Sequence, residues 1–303
     1  MKSATVVNYL GEILTLQLND PESSGFKVFD IEGLGPVKAD INTSKISTVD
    51  GVIYNSSTVG GRNIVFKLGF TDNPSIEANR LKSYRYFPIG KMVTLIFDTG
   101  TRLAGVTGYV ESNAPTIFSA EGTTQVSIVC ESAYFLDVSE DGVTNTLFFN
   151  VEALFEFPFS NESLTEDLLE FSRLNTNYER TVVYEGDGEV GLKISIKALG
   201  NVGNVVIYDP VNNEAVRINS TTIASMTGTG ISAGDEILIN TNKGSKSVKL
   251  FRRGTTTNIL NAFERGSSWL SLSKGENTFS YSATSGVANL QITMESLTYY
   301  EGL

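Results

Sequence analysis

From about residue 179 onward the chain is a series of short β-prone runs, at 180–184, 190–198, 205–208, 236–240, 247–252, 269–272, 277–281 and 289–295. Each is bounded by Gly, Asn or Asp. These residues close tight turns because they tolerate positive φ or hydrogen-bond their own backbone. No helical period separates the runs, and their irregular lengths exclude a solenoid. Strands joined by short turns pair antiparallel, so this half predicts an antiparallel sandwich.

The first half has a similar grain with one interruption. Opening strands are expected at 5–7 and 13–18, divided by the Asn19-Asp20-Pro21 turn from another at 26–29. Residues 35–54 are polar and mixed, with a tight-turn signal at Asp50-Gly51. Alternating runs follow at 62–70, 91–97, 107–111 and 125–130, and 115–122 reads as a turn or the tip of a long hairpin. Between them, 74–86 predicts the one helix of this half, with Asn73 as N-cap and Pro74 as the first helical residue. Ile76, Arg80 and Tyr84 recur every fourth residue along it. Residues 136–180 form a junction, in which 161–173 is acidic and open to either a helical or an extended reading.

Composition excludes more chemistry than it suggests. The 303 residues contain no histidine and a single cysteine, Cys130. That removes the commonest general base, a Ser-His-Asp triad, a Cys-His pair and any zinc site built on His or on several thiolates. Cys130 has no internal disulfide partner and reads as a small buried hydrophobe. The net charge of −11 disfavours nonspecific binding to nucleic acid or anionic membranes. No apolar run nears the ~18 residues of a membrane helix. The N-terminus carries no signal-peptide h-region, so synthesis in a cytoplasm is expected.

The order of pieces between Asp30 and Phe135 carries a resemblance. It runs through Gly35-Pro36, Thr48-Val-Asp-Gly-Val-Ile-Tyr54 and Gly60-Gly-Arg-Asn-Ile-Val-Phe-Lys-Leu68. It continues through Tyr84-Arg-Tyr-Phe87 and Ile117-Phe-Ser119 to Gln125-Val-Ser-Ile-Val-Cys130. This resembles the N-terminal domain of distal tail proteins of long-tailed bacteriophages. The second half is similar to the C-terminal galectin-like sandwich of the same family. The carriers there are Glu185-Gly-Asp-Gly188, Ser232 to Gly244, Asn258-Ile-Leu260, Ser268 to Asn277 and Tyr299-Tyr-Glu-Gly302.

The resemblance implies a mainly β protein. Residues 1–150 would form a ring-forming β-sandwich or split barrel with one short helix. Residues 151–303 would form the galectin-like sandwich, with 151–180 as junction. The implied role is a structural subunit of the tail tip or baseplate, at the distal end of the virion tail and made in the bacterial host cytoplasm. Its expected partners are itself in a hexameric ring, the tail tube protein, a tail-tip hub or tail-associated protein, and receptor-binding or baseplate proteins.

Candidate sites are weighed against this. Asp98, Glu111, Glu121, Asp187 and Asp235 would have to supply any glycosidase-type carboxylate pair, but three of them sit beside glycines, where Asp caps a turn. Glu185 to Glu189 and Asp137 to Asp141 lack the spacing of a calcium loop. Gly60-Gly61 precedes Arg62 without the Lys-Ser/Thr of a phosphate loop. Arg252 and Arg253, with Lys243, Lys246 and Lys249, read as a solvated basic face open to an acidic neighbour. The lone tryptophan, Trp269, suits either a core position or a sugar-stacking face. A carbohydrate-binding adhesion module is therefore the alternative reading. No enzyme activity and no cofactor are expected.

Overall fold

The structure is a computed structural model that describes residues 1–47, 50–117, 122–139, 142–148, 151–153, 172–174 and 178–303. The fold is mainly β. The chain divides into two units, the first made of Met1–Gly142 with Thr298–Leu303, the second of Val143–Leu297. The sequence reading set its boundary near 150 and left the return of the last residues open. Most of the 161–173 segment lies outside the described residues, as do 154–159.

The first unit holds β1 (Ser3–Val7), β2 (Ile13–Gln17), β3 (Phe26–Glu32), β4 (Ala39–Ser44), β5 (Ile53–Val59), β6 (Arg62–Phe70), β7 (Met92–Asp98), β8 (Leu103–Pro115), β9 (Thr123–Cys130) and β10 (Phe135–Asp137). One sheet runs in the order β2-β1-β7-β8-β9-β6-β3, with β10 pairing β8. Every pairing along that path is antiparallel. Burial alternates along β1, β2 and β7, as a sheet with one wet face requires. The inner rows meet in an aromatic core where Phe66 stacks on Phe97 at 6.2 Å and Phe97 meets Phe135 edge-on at 5.8 Å. Cys130 is fully buried, and that burial pushes its thiol up to about 11.

Two helices interrupt these strands. The Asn19-Asp20-Pro21 turn becomes a single helical turn, α1 (Pro21–Ser24). The main helix, α2, spans Ile76–Tyr86, and its N-cap is Ser75, which accepts from the Ala78 amide at 3.1 Å. Asn73 and Pro74 lie outside it, joined by a cis peptide bond. The expected apolar stripe is also displaced, because the buried helical side chains are Asn79 and Ser83 while Tyr84 is exposed. Asn79 donates to the Thr71 and Asn73 carbonyls at 3.0 and 2.9 Å, so α2 is pinned to its own lead-in by an amide. Gly25 makes room for that amide: a Cβ there would lie 2.3 Å from Asn79 Oδ1.

The last residues close the unit. Strand β25 (Tyr299–Tyr300) pairs with β10, and the Leu303 amide donates to the Leu34 carbonyl at 3.0 Å. Arg62, 2% exposed at the start of β6, ties the pieces together. Its guanidinium donates to the carbonyls of Gly33 at 2.8 Å, Glu301 at 2.8 Å and, twice, Ala133. The Phe135 ring lies 3.8 Å from its central carbon. Among the described residues it has no carboxylate partner, and burial lowers its pKa. Alongside, Arg102 donates to the Gly302 carbonyl at 2.8 Å, and the Tyr300 hydroxyl donates to Asp137 at 2.6 Å.

The second unit begins with β11 (Val143–Phe148), β12 (Val151–Ala153), β13 (Ser172–Leu174), β14 (Glu179–Tyr184), β15 (Val190–Gly191), β16 (Lys193–Ala198), β17 (Val205–Asp209) and β18 (Glu214–Ile218). It continues with β19 (Glu236–Asn240), β20 (Ser247–Arg252), β21 (Thr255–Asn258), β22 (Ser271–Leu272), β23 (Gly275–Ala283) and β24 (Leu290–Leu297). Its two main antiparallel sheets run β11-β24-β16-β19-β20-β21 and β14-β23-β17-β18. Ile194, Ile196, Ile237 and Ile239 of the first, with Ile207 and Phe279 of the second, are fully buried. The expected strand over 190–198 breaks at Leu192, which leaves β15 free to pair with β22 instead.

A third helix, α3 (Ser220–Thr227), falls where no helix was expected. Asn219 caps it by accepting from the Thr222 amide at 2.9 Å, and Gly228 ends it at φ 87°. Arg252 is not a solvated basic residue. It forks onto Asp235 at 2.7 and 2.5 Å and donates to Thr227 Oγ1 and the Gly230 carbonyl, so it fastens the end of α3 to the β19–β20 ribbon. Burial raises the Asp235 pKa, but Arg252 and the Ser232 amide outweigh it and leave the carboxyl below its usual range.

Two outcomes are expected. Arg62→Leu leaves the buried Ala133 carbonyl without its donor and removes the part-buried bonds to Gly33 and Glu301; one unpaired buried group costs about 1–3 kcal/mol. Urea unfolding should show the first unit weakened by at least about 1 kcal/mol, with faster amide exchange at Leu303. Arg62→Lys should recover little, since one ammonium cannot span three segments. Asp235→Asn leaves Arg252 without its counter-charge and should weaken the second unit by about 3–5 kcal/mol at pH 7. Because the folded Asp235 pKa is depressed, its contribution is present above about pH 4 and lost as pH falls further. Calorimetry at pH 7 and pH 3 should find wild type and D235N far apart at the first and closer at the second.

Candidate functional site

The strongest candidate is a surface built of β4 and β5. Among the described residues they pair only with each other, with a register shift between Asn42 and Thr43, and form a two-stranded arm outside the main sheets. Every residue of the two strands is exposed except the half-buried Ala39. Ile41 is 62% exposed and Tyr54 61%. The described side-chain hydrogen bonds of the arm stay within it, as Asn42 to Ser56 at 3.1 Å, Asn55 to Ser44 at 2.6 Å and Tyr54 to Ser57 at 3.0 Å. Its thirteen strand residues include one charge, Asp40. An isolated two-stranded ribbon is marginal in water, and uncharged exposed Ile, Val and Tyr mark a surface suited to being covered.

Sequence reasoning found the Asp50-Gly51 turn but not the strands it serves. Ala-Asp-Ile-Asn-Thr-Ser at 39–44 alternates weakly and has no buried face, so the pattern that betrays a half-buried strand is missing. At the foot of the arm, Gly61 passes so close to β9 that a Cβ would lie 2.4 Å from the Cys130 carbonyl. That close approach, and not a phosphate, accounts for the glycine.

The other candidates are scattered and occupied. Trp269 is half-buried, stacked on Phe263 at 4.7 Å, with Lys246 Nζ 5.3 Å from its ring centre. It belongs neither to the deep core nor to an open aromatic platform. Asp98 caps the Gly100 amide at 2.7 Å, Glu111 accepts from Ser127 at 2.8 Å, Asp187 pairs with Lys274 at 2.8 Å and Asp235 holds Arg252. Glu121 lies outside the described residues. Glu189 accepts from Ser271 at 2.6 Å, and Asp137 is held by Ser139 and Tyr300. Among the described residues no group of three acidic or thiol side chains converges as a metal site would require, and no helix is long and apolar enough to cross a membrane. A trough of about 360 Å³ lies over the six-stranded sheet, where Lys193, Lys249, Glu236 and Glu295 line it with no aromatic side chain.

The sequence matches no protein-family model, and no curated protein is significantly similar to it. Solved structures are similar in fold. The crystal structure of the SPP1 Dit (gp 19.1) protein, described as a paradigm of the hub adsorption apparatus in phages infecting Gram-positive bacteria, aligns at a TM-score of 0.61 and 10% identity. That alignment covers 97% of this chain and 98% of the other. A chain of the phage P2 baseplate in its activated conformation with Ca aligns over 97% of both chains at 12% identity, with a TM-score of 0.39. Across both units, this chain has the fold of the SPP1 Dit protein.

Proposed function

We propose that this chain is a structural subunit of a phage tail tip or baseplate, located at the distal end of the virion tail. Copies join through the first unit into a ring, expected to be sixfold, that links the tail tube to the tip hub and adhesion apparatus. The second unit holds receptor-binding or baseplate proteins, and the chain carries out no catalysis. Two things support the reading: a fold shared along the whole chain with a phage hub protein, and the arm.

The arm is the observation that carries it. A ring subunit must present two different, complementary surfaces, so that each copy binds the next and the series closes. An exposed β ribbon with almost no charge supplies one such surface without cost to the core of its own unit. The engagement of the acids in turns, ion pairs and hydroxyl contacts fits an assembly role better than a hydrolytic one.

Negative-stain imaging and native mass spectrometry of the purified chain test this. Rings with a central hole, at a mass of six chains, are the expected result. Replacing residues 40–58 with a short Gly-Ser turn should leave both units folded and abolish the rings. A wild-type chain that stays monomeric at high concentration, alone and with its tube protein, would refute the ring.

A further inference from the structure

We infer that the returning segment Thr298–Leu303 is a strap that holds the root of the β4–β5 arm and so sets the direction in which the arm points. The chain leaves the sheet for the arm through residues 33–36 and comes back through 60–62. Glycines stand at 33, 35, 60 and 61. A glycine-rich root swivels unless something outside it fixes the backbone. The arm itself offers no such fix, because its described side-chain hydrogen bonds stay within it.

The strap supplies the fix on the outgoing side. The Leu303 amide donates to the Leu34 carbonyl at 3.0 Å. Gly302 passes so close that a Cβ there would lie 3.0 Å from Pro36 Cδ. Leu34 and Leu303 both pack against the core of the unit. Arg62 joins the two sides of the root: it stands on the returning side and donates to the Gly33 and Glu301 carbonyls, each at 2.8 Å. The strap is held from behind in turn, because Arg102 donates to the Gly302 carbonyl at 2.8 Å and β25 pairs with β10. An arm with a fixed root meets any partner from one direction and loses less freedom on binding. The consequence for assembly rests on the ring reading: copies with a released strap close rings less readily. The strap follows the second unit in the chain, so the arm is aimed only after Val143–Leu297 has been made. A copy still in synthesis is then a poor partner for finished ones.

The test places spin labels on Ser57→Cys in β5 and Thr107→Cys in β8, both exposed positions. The native Cys130 is fully buried and stays unlabelled. Labelled chains are diluted into an excess of unlabelled chains of the same variant, so that double electron–electron resonance reads the distance within one copy. Wild type should give a single narrow distribution. Gly302→Val, whose side chain meets Pro36, and Leu303→Asp should make it roughly twice as wide with unchanged circular dichroism. Both should raise the concentration needed for rings about tenfold, and Leu303→Met should behave as wild type. Val6→Ala, in the core on a strand that pairs with neither β3 nor β6, should lower the melting temperature yet leave the distribution and the rings alone. Where Leu303→Asp loses strand content, Gly302→Val decides. A narrow distribution in Gly302→Val, or one equally broad in Val6→Ala, would overturn the strap whether or not rings form. Wild type without rings, with the distances behaving as expected, would overturn the ring and leave the strap standing.

Discussion

A buried arginine with no carboxylate partner among the described residues sets the terms for the first unit. Removing a guanidinium from water costs several kcal/mol unless its donors are used. Arg62 uses them on main-chain carbonyls from three separate stretches, at Gly33, Ala133 and Glu301. These carbonyls point into the protein from irregular chain, where no ladder partner is on offer. The Phe135 ring contributes its negative face to the same cation. Cation and carbonyls thus solve each other's desolvation problem, which neither a leucine nor a lysine at position 62 can do. One of the three stretches comes from the last six residues, so the first unit is finished only after the chain has passed through the second. The second unit is an insertion, entered at Val143 and left at Leu297, and those two residues pair across β11 and β24.

Charge is distributed to match. The acids that a sequence scan flags as reactive are spent locally: Asp98 on a turn, Asp187 on Lys274, Asp235 on Arg252. Glu12 grips Arg85 and Asn8, which holds its pKa down to about 2, so it stays ionised under any ordinary condition. The two strands of the β4–β5 arm carry one charge, Asp40. An acidic surface keeps copies apart in solution, and uncharged patches on it define where they can meet.

The strands were legible where one face is buried, because period-two alternation survives in sequence: 62–70, 91–97, 236–240 and 247–252 are all strands. Elements held by polar contacts were not. The α2 helix has no apolar stripe to betray its docking face, since Asn79 does that work, and its true cap, Ser75, sits two residues beyond the one chosen. The Asn219 cap and Gly228 stop of α3 were present in the sequence but too short a span to outweigh the strand rhythm around them. Arg252 read as a surface charge because nothing local says that Asp235 will converge on it, and nothing local marked Arg62 for the carbonyls it binds. The last six residues gave no sign of where they would pack. The arm was invisible for the opposite reason: it has no buried face in its own chain.

That last failure follows from the physics of the arm. A pattern of burial is written into a strand only by what covers it. For a surface covered by another copy, the constraint appears as the absence of charge and not as alternation. A two-stranded ribbon has little beyond its own cross-strand pairs to hold it. In the proposed ring, the entropy of ordering it falls partly on the step that covers it, and lowers the net strength of each contact. A ring offsets this through closure, because the final copy forms two contacts at the loss of one set of translational and rotational freedoms. Weak single contacts with a strong closed ring are what an assembly component needs if it is to stay dispersed until its full number of partners is present.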